Sequence, residues 1–211
     1  MNIFKRLADF FRILFGRKAT NEGEAPTTRE PHVPPRVEPA IRQRVFHNAI
    51  FKDPFGNQTL THEIDRIIVR KNGIFCIEDK DWSGDIYGFE DDGLWRQVLG
   101  RGDIVHSHPS PIKQNETHKD VLEEIIDGNE NDYVIPVVVM AENNSPLRNS
   151  EKVINAIGLE RFMRSHSSFD PELDDEEFED LCATIEAADR SSTITHEEHV
   201  RNVRRNHPGQ H

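Results

Sequence analysis

Two β-rich runs, Leu60–Arg70 and Ile74–Lys80, flank the tripeptide Lys71-Asn72-Gly73, and that short interval constrains the fold more than any other feature of the chain. Asn-Gly between alternating apolar residues is the strongest short-range signal for a tight hairpin, because a type I′ turn needs positive φ at both central positions. With Asn72-Gly73 as the two-residue loop, Val69 falls opposite Cys76, Ile67 opposite Glu78 and Asp65 opposite Lys80. Side chains along a strand alternate faces, so Asp65, Ile67, Val69, Cys76, Glu78 and Lys80 are expected on one side of the hairpin. Asp79 and Asp81 point the other way, toward surface or turn contacts.

The remaining pattern fits an α/β domain, a mixed β-sheet with flanking helices. A strand is expected over Val45–Phe51 and a turn at Pro54-Phe55-Gly56-Asn57, with further strands over Asp85–Phe89 and Leu94–Leu99. The His106-Ser107-His108-Pro109 run reads as a polar loop. Pro111–Ile126 reads as a helix, with Pro111 in its first turn and Val121, Leu122, Ile125 and Ile126 as its apolar stripe. Tyr133–Met140 is almost continuously apolar, as a strand buried on both faces requires. Ser150–Phe162 is expected to close the core as a helix, a short helix is expected near Ala40–Val45, and another over Glu176–Ala188.

Before this core the chain changes character. Phe4, Leu7, Phe11, Leu14 and Phe15 recur at helical spacing beside Lys5, Asp9 and Arg12, so residues 1–18 read as an amphipathic helix. Such a helix suits peripheral contact with a membrane surface or a partner; docking on the domain is the alternative. Residues 19–39, with Pro26, Pro31, Pro34, Pro35 and Pro39, read as a proline-rich linker. No apolar run approaches the roughly 20 residues needed to span a bilayer. Cys76 and Cys182 sit in no metal-type spacing, which fits a reducing, cytoplasmic setting, and residues 1–18 would add peripheral contact at the inner face of the membrane.

Of the 211 residues, 35% are hydrophobic and 30% charged, and the formal net charge is -12. That balance argues against a chain whose whole surface clings to nucleic acid. It leaves room for a local site. On the expected hairpin, Asp65 lies directly across from Lys80 and diagonal to Glu78, within ~5–8 Å. Two carboxylates so placed can hold one hard cation, Mg²⁺ or Mn²⁺, with positions left for water and a phosphate. Lys80 can orient or deprotonate that water and balance charge in the transition state. On spacing alone, ordinary polar residues on a solvated sheet face remain the competing explanation.

The run from Thr61-His62-Glu63-Ile64-Asp65 through Asn72-Gly73-Ile74-Phe75-Cys76-Ile77-Glu78-Asp79-Lys80-Asp81-Trp82-Ser83-Gly84 resembles the nuclease-related domain (NERD). That domain is regarded as a distant branch of the PD-(D/E)xK nuclease superfamily. Tyr87-Gly88, Trp95 and Pro111-Ile112-Lys113-Gln114-Asn115 continue the likeness, which covers roughly Phe46 to Phe162. The resemblance implies a restriction-endonuclease-like core over 40–165 and a C-terminal extension over 166–211. It implies Asp65 and Glu78 as magnesium ligands, Lys80 as the catalytic lysine, and Gln114 contacting a phosphate or positioning water. A helix N-terminal hydrogen bond is the plainer role for Gln114. Lys113 and Lys119 are the implied contacts to backbone phosphates of nucleic acid, DNA first.

Two departures stand out. The family's N-terminal glutamate has only Glu38 or Glu24 to represent it, with Glu38 favoured as the remaining metal ligand, and Ser110 replaces the Asn before Pro-Ile. Two functions therefore compete. One is a metal-dependent nuclease hydrolysing phosphodiester bonds in DNA; the other is a catalytically weak nucleic-acid- or protein-binding scaffold at the membrane surface.

Weaker signals read plainly. His106 and His108 suit a polar loop better than a transition-metal site, and His196-x-x-His199 lacks the zincin spacing. The eight acids from Asp170 to Asp180 read as a solvated segment, not a calcium loop. The tail with Arg201, Arg204, Arg205 and His207 reads as disordered by default. Trp82 and Trp95 read as sheet anchors in preference to base-stacking platforms.

Overall fold

The apolar runs assemble into one five-stranded mixed sheet. The computed structural model describes residues 41–127, 131–147 and 150–206. The expected N-terminal helix, the proline-rich linker, Glu24 and Glu38 lie outside them. Strands β1 (Gln43–Lys52), β2 (Thr61–Arg70) and β3 (Gly73–Lys80) form an antiparallel meander. β3 then pairs in parallel with β7 (Val134–Met140), and β7 with the short β8 (Val153–Asn155). The crossover from β3 to β7 carries a separate three-stranded sheet and a long helix. That sheet consists of β4 (Asp85–Tyr87), β5 (Leu94–Leu99) and β6 (Ile104–Pro109), and the helix is α1 (Pro111–Asp127).

Helices cover both faces of the large sheet. Ile67, Val69, Ile74 and Cys76 pack against Val121 and Leu122 of α1 and against Phe178, Cys182 and Ile185 of α3 (Asp175–Ala188). Ile68, Phe75, Ile77, Val137 and Val139 face the other way, onto Phe162 and Met163 of α2 (Leu159–Ser165). Burial on both faces is why β3 and β7 read as unbroken apolar runs. Among the described residues no helix is long and apolar enough to cross a membrane.

The hairpin forms in a different register from the one expected. The pairing runs Arg70↔Gly73, Val69↔Ile74, Ile68↔Phe75, Ile67↔Cys76 and Arg66↔Ile77, so Lys71-Asn72 is the loop. Neither Asn72 nor Gly73 has positive φ. Tertiary contacts displace the I′ turn. The Asn72 amide donates to the carbonyls of Met163 (2.8 Å) and His166 (2.7 Å), and its own carbonyl accepts the Ser168 N–H (2.9 Å). Gly73 serves close approach, since a Cβ there would stand 3.1 Å from Ser168 Oγ and 3.3 Å from Ile135 Cδ1.

Three other expectations are corrected. Where a short helix was expected near Ala40–Val45, the described residues from Gln43 on belong to β1. His106–Pro109 is strand, not loop, because β6 completes the small sheet by pairing Trp95↔His108 and Gln97↔His106. Ser150–Phe162 is not one helix: Val153 and Ile154 extend the large sheet beside Val138 and Val139, a 3-10 turn follows over Ala156–Gly158, and α2 starts at Leu159.

The acidic segment after Asp170 is structured through α3. Asp174 caps the helix with a full capping box to Glu177. Its acids meet the bases of β1 and the hairpin loop: Asp175 pairs with Arg42 and Lys71, and Glu179 with Arg42 and Arg44. The turn after α3 then ties itself to the outer edge of β1. Ile50 N–H donates to Asp189 Oδ1 (3.0 Å), and the Ile50 carbonyl accepts the Arg190 N–H (2.7 Å). Helix α4 (His196–Asn206) follows and lies on the start of β2, held by His199 to Thr61 Oγ1 (2.9 Å) and His196 to Glu63 (2.6 Å).

Candidate active site

A kink places Asp65. Asn48 takes φ 49° in the middle of β1, and the pairing with β2 skips the Asn48–Asp65 step between His47↔Arg66 and Ala49↔Ile64. Strict alternation would put Phe46 and Ala49 on opposite faces, and likewise Ile64 and Ile67, yet all four reach one core cluster. The interruption lies beside Asp65, where the β2–β3 ladder also ends. There Asp65 Oδ2 accepts the Asp79 N–H (2.8 Å), while the Asp79 carboxylate takes both nitrogens of the Arg66 fork (2.6 Å each).

Glu78 is the unusual residue. It sits near the C-terminal end of β3, 1% exposed, among apolar neighbours that favour a neutral group. Two cations or potential cations face it. Lys80 Nζ donates to Glu78 Oε1, and His118 Nδ1 of α1 stands 3.3 Å from Glu78 Oε2. Both Glu78 Oε2 and His118 Nδ1 lack a hydrogen bond of good geometry. Burial alone would raise the Glu78 carboxyl, but the His118 ring and the Lys80 ammonium outweigh it and hold the group below the ordinary glutamate range. Asp65 goes the other way: burial pushes it up, the Glu78 charge adds to the rise, and the Asp79 N–H and Lys80 only partly oppose it. Two carboxylates thus share one neighbourhood with opposite tendencies.

Helix α1 supplies the opposite wall. Asn115 fixes its distance from β3, donating to the Cys76 carbonyl (3.0 Å) and accepting from the Cys76 thiol (3.2 Å). With Asn115 buried, Gln114 turns outward one position earlier, and its Oε1 accepts from Lys80 Nζ (3.2 Å). Lys113, also exposed, lines the same cleft. Lys119 goes elsewhere: it pairs with Glu123 (3.0 Å) and Asp132 (2.6 Å), and Glu123 accepts the Val134 N–H (3.1 Å). On the remaining side Lys80 Nζ lies 5.6 Å from the Trp82 ring centre, and Trp82 stacks on His108 at 4.3 Å. Trp95 is fully buried in the small sheet, under Gly88.

The structure therefore gathers Asp65, Glu78, Lys80 and Gln114 and sets Lys113 at the rim. Lys80 does not lie across from Asp65 as the expected register had it; it turns to Glu78 and Gln114. His118 was missed in the sequence, although a signal existed, because position i+4 from Gln114 shares its side of a helix. Among the described residues no three His, Cys, Asp or Glu side chains converge as a metal-binding set. The donors present are two acids, one carrying an unsatisfied buried oxygen. Magnesium is commonly held by one or two carboxylates with water completing its shell, so this pair is compatible with it.

Comparison with known proteins bears on this arrangement. The chain is 32% identical over 83 residues to an uncharacterized protein of Bacillus anthracis, a stretch that is 39% of this chain and 37% of that relative's length. The chain thus spans little more than a third of the relative. No solved structure matches. The family model described as the nuclease-related domain matches residues 35–141, a segment that contains β1 to β7 and every residue of the cluster around Glu78. This chain belongs to the nuclease-related domain family.

Proposed function

We propose that the chain is a metal-dependent phosphodiesterase acting on nucleic acid, DNA first, through Asp65, Glu78, Lys80 and Gln114. The observation that carries this reading is the buried Glu78 carboxylate, kept ionised by Lys80 and His118 beside a second acid. Burying a carboxylate in an apolar interior is costly even when cations face it, and such groups cluster where the charge is used. Asp65 and Glu78 are the residues that would hold Mg²⁺ or Mn²⁺, which when bound supplies Lewis acidity and a water of lowered pKa.

The chain's own groups do the rest. Lys80, fixed by Glu78 and by Gln114 Oε1, presents its ammonium to a phosphoryl oxygen or to the attacking water. With its carbonyl engaged by Lys80, Gln114 has its NH₂ to donate to a phosphate oxygen. Lys113 meets a neighbouring backbone phosphate. Glu38, on the chain before β1, is the candidate to complete the ligand set.

Plasmid nicking and oligonucleotide cleavage with Mg²⁺ or Mn²⁺, against EDTA, tests the proposal alongside Glu78→Gln and Lys80→Met. Metal-dependent cleavage by the wild type, lost by at least 100-fold in both variants, supports it. Equal inertness of all three proteins across metals and substrates overturns it. The second reading, a nucleic-acid- or protein-binding scaffold, is favoured by there being only two acids in the cluster among the described residues. Metal-independent binding without cleavage is its signature.

A further inference from the structure

The C-terminal segment lies outside the matched family region, yet its last helix walls the cleft beside the candidate site. That cleft, about 590 Å³, is bounded on one side by Lys113, Gln114 and His118 of α1 and on the other by His199 and Val203 of α4, with Glu63 of β2 beneath. Gln114 joins it to Lys80, and His118 joins it to Glu78. α4 is well fastened in this position. Besides His196–Glu63 and His199–Thr61, Asn206 accepts from Asn57 Nδ2 (3.0 Å) and Thr59 Oγ1 (3.2 Å) at the far end of the helix.

The size is informative. Pockets for small molecules run to ~300–1,000 Å³, so the cleft has room for a nucleotide or two. A duplex carries two backbones around a major groove about 12 Å wide, so a cleft of about 590 Å³ takes its nucleotides only if the strands part. The lining is mixed in the way a single strand needs: an ammonium at Lys113 for the backbone, and the Val203 side chain and His199 ring for a sugar or base. In a chain of net charge -12, Lys113 at the cleft and Lys80 behind Gln114 supply two ammoniums for a polyanion, while Glu63 is engaged by His196.

We infer that α4 acts as a strand selector: one strand of nucleic acid enters between α1 and α4, and its complement is excluded. His199 and Val203 are then the specificity-determining residues. The inference rests on the nucleic-acid reading of the site and adds the class of substrate. Helical spacing turns Arg205 to the side of α4 opposite Val203 and His199, which makes it a control.

The test is fluorescence anisotropy with the full chain in Ca²⁺, using a labelled oligothymidylate and a duplex of equal length. The variants are Val203→Trp and Thr117→Trp, which place bulk in the cleft from either wall, and Arg205→Ala. Thr117 is exposed, so that variant keeps the test valid should Val203→Trp fail to fold. The wild type is expected to bind the single strand at least tenfold tighter than the duplex. Either folded tryptophan variant is expected to weaken single-strand binding at least tenfold, and Arg205→Ala to stay within twofold. Equal or tighter duplex binding by the wild type, or single-strand binding untouched by folded Trp variants, overturns the selector while leaving the phosphodiesterase reading intact. Binding of neither oligonucleotide at low salt overturns both.

Discussion

Lys80→Met tests the cluster without reference to catalysis. The Glu78 side chain is 2% exposed and that of Lys80 16%, so the methionine fills the space of the stem while removing the charge that faces Glu78. What remains is His118 at 3.3 Å, without good hydrogen-bond geometry. Breaking a buried pair by removing one partner costs about 3–5 kcal/mol. Lys80 is partly hydrated and His118 offsets some of the loss, so the lower end, about 3 kcal/mol, is expected here. For a body of this size each kcal/mol moves Tm by about 2–4 °C, giving a fall of about 6–12 °C. Adding Glu78→Gln to the variant removes the stranded charge and should restore most of the loss, a coupling of about 1–3 kcal/mol.

The measurement is urea and thermal unfolding of the four proteins of the cycle in EDTA. Acidification adds an independent sign. In the wild type the Glu78 carboxyl is depressed, so its contribution is present above the unfolded glutamate value and disappears as pH falls through the folded one. In Lys80→Met only His118 still holds the carboxyl down, so less stability is lost on acidification and the deficit against wild type should shrink toward acid pH. Single effects that add within about 0.5 kcal/mol would refute the contact and the charge argument together.

Phe178, 2% exposed in α3, packs in the main core, so Phe178→Ala should cost about 3–5 kcal/mol by urea unfolding; a change near zero would detach α3 from the domain. A Cβ on Gly88 would fall 2.5 Å from the Trp95 ring, so Gly88→Ala should destabilise by about 1–3 kcal/mol and alter tryptophan fluorescence. Glu160, bonded to Arg70 and then Arg164, has its carboxyl lowered from 4.5 to about 2. Its contribution is therefore present above about pH 4.5 and lost toward pH 2, so the stability gap between wild type and Glu160→Gln should close over that interval, less steeply in high salt.

Much of this was legible because the signals were local. The β2 and β3 runs, β5, α1, β7 and α3 follow from periodicity and turn chemistry within one short stretch. The hairpin register was two residues off because Asn72 answers to Met163, His166 and Ser168, contacts more than ninety positions away. A slip of two preserves faces, which is why Cys76 and Glu78 stay on the side expected for them. Asp65 is a different case: period-two counting does not carry through the Asn48 kink, and its position follows from the Asp79 N–H. β8 was unreadable as strand, since three residues gain their order only from a neighbour. His118 needed a tertiary partner, Glu78, to become conspicuous.

The tie between Ile50 and the Asp189-Arg190 turn has a consequence for how this protein is handled. β1 is one of the two outer strands of the large sheet, and outer strands with free backbone groups recruit other chains. Here one outward N–H and one outward carbonyl are occupied by the chain's own turn, with acids of α3 set along the same margin. Trimming the chain to its family-matched segment would strip that cover and expose Ala49, Phe51 and Ile64 as well. The trimmed product should therefore self-associate and precipitate, and an inactive aggregate from such a fragment would report on the missing cover and not on the chemistry around Glu78.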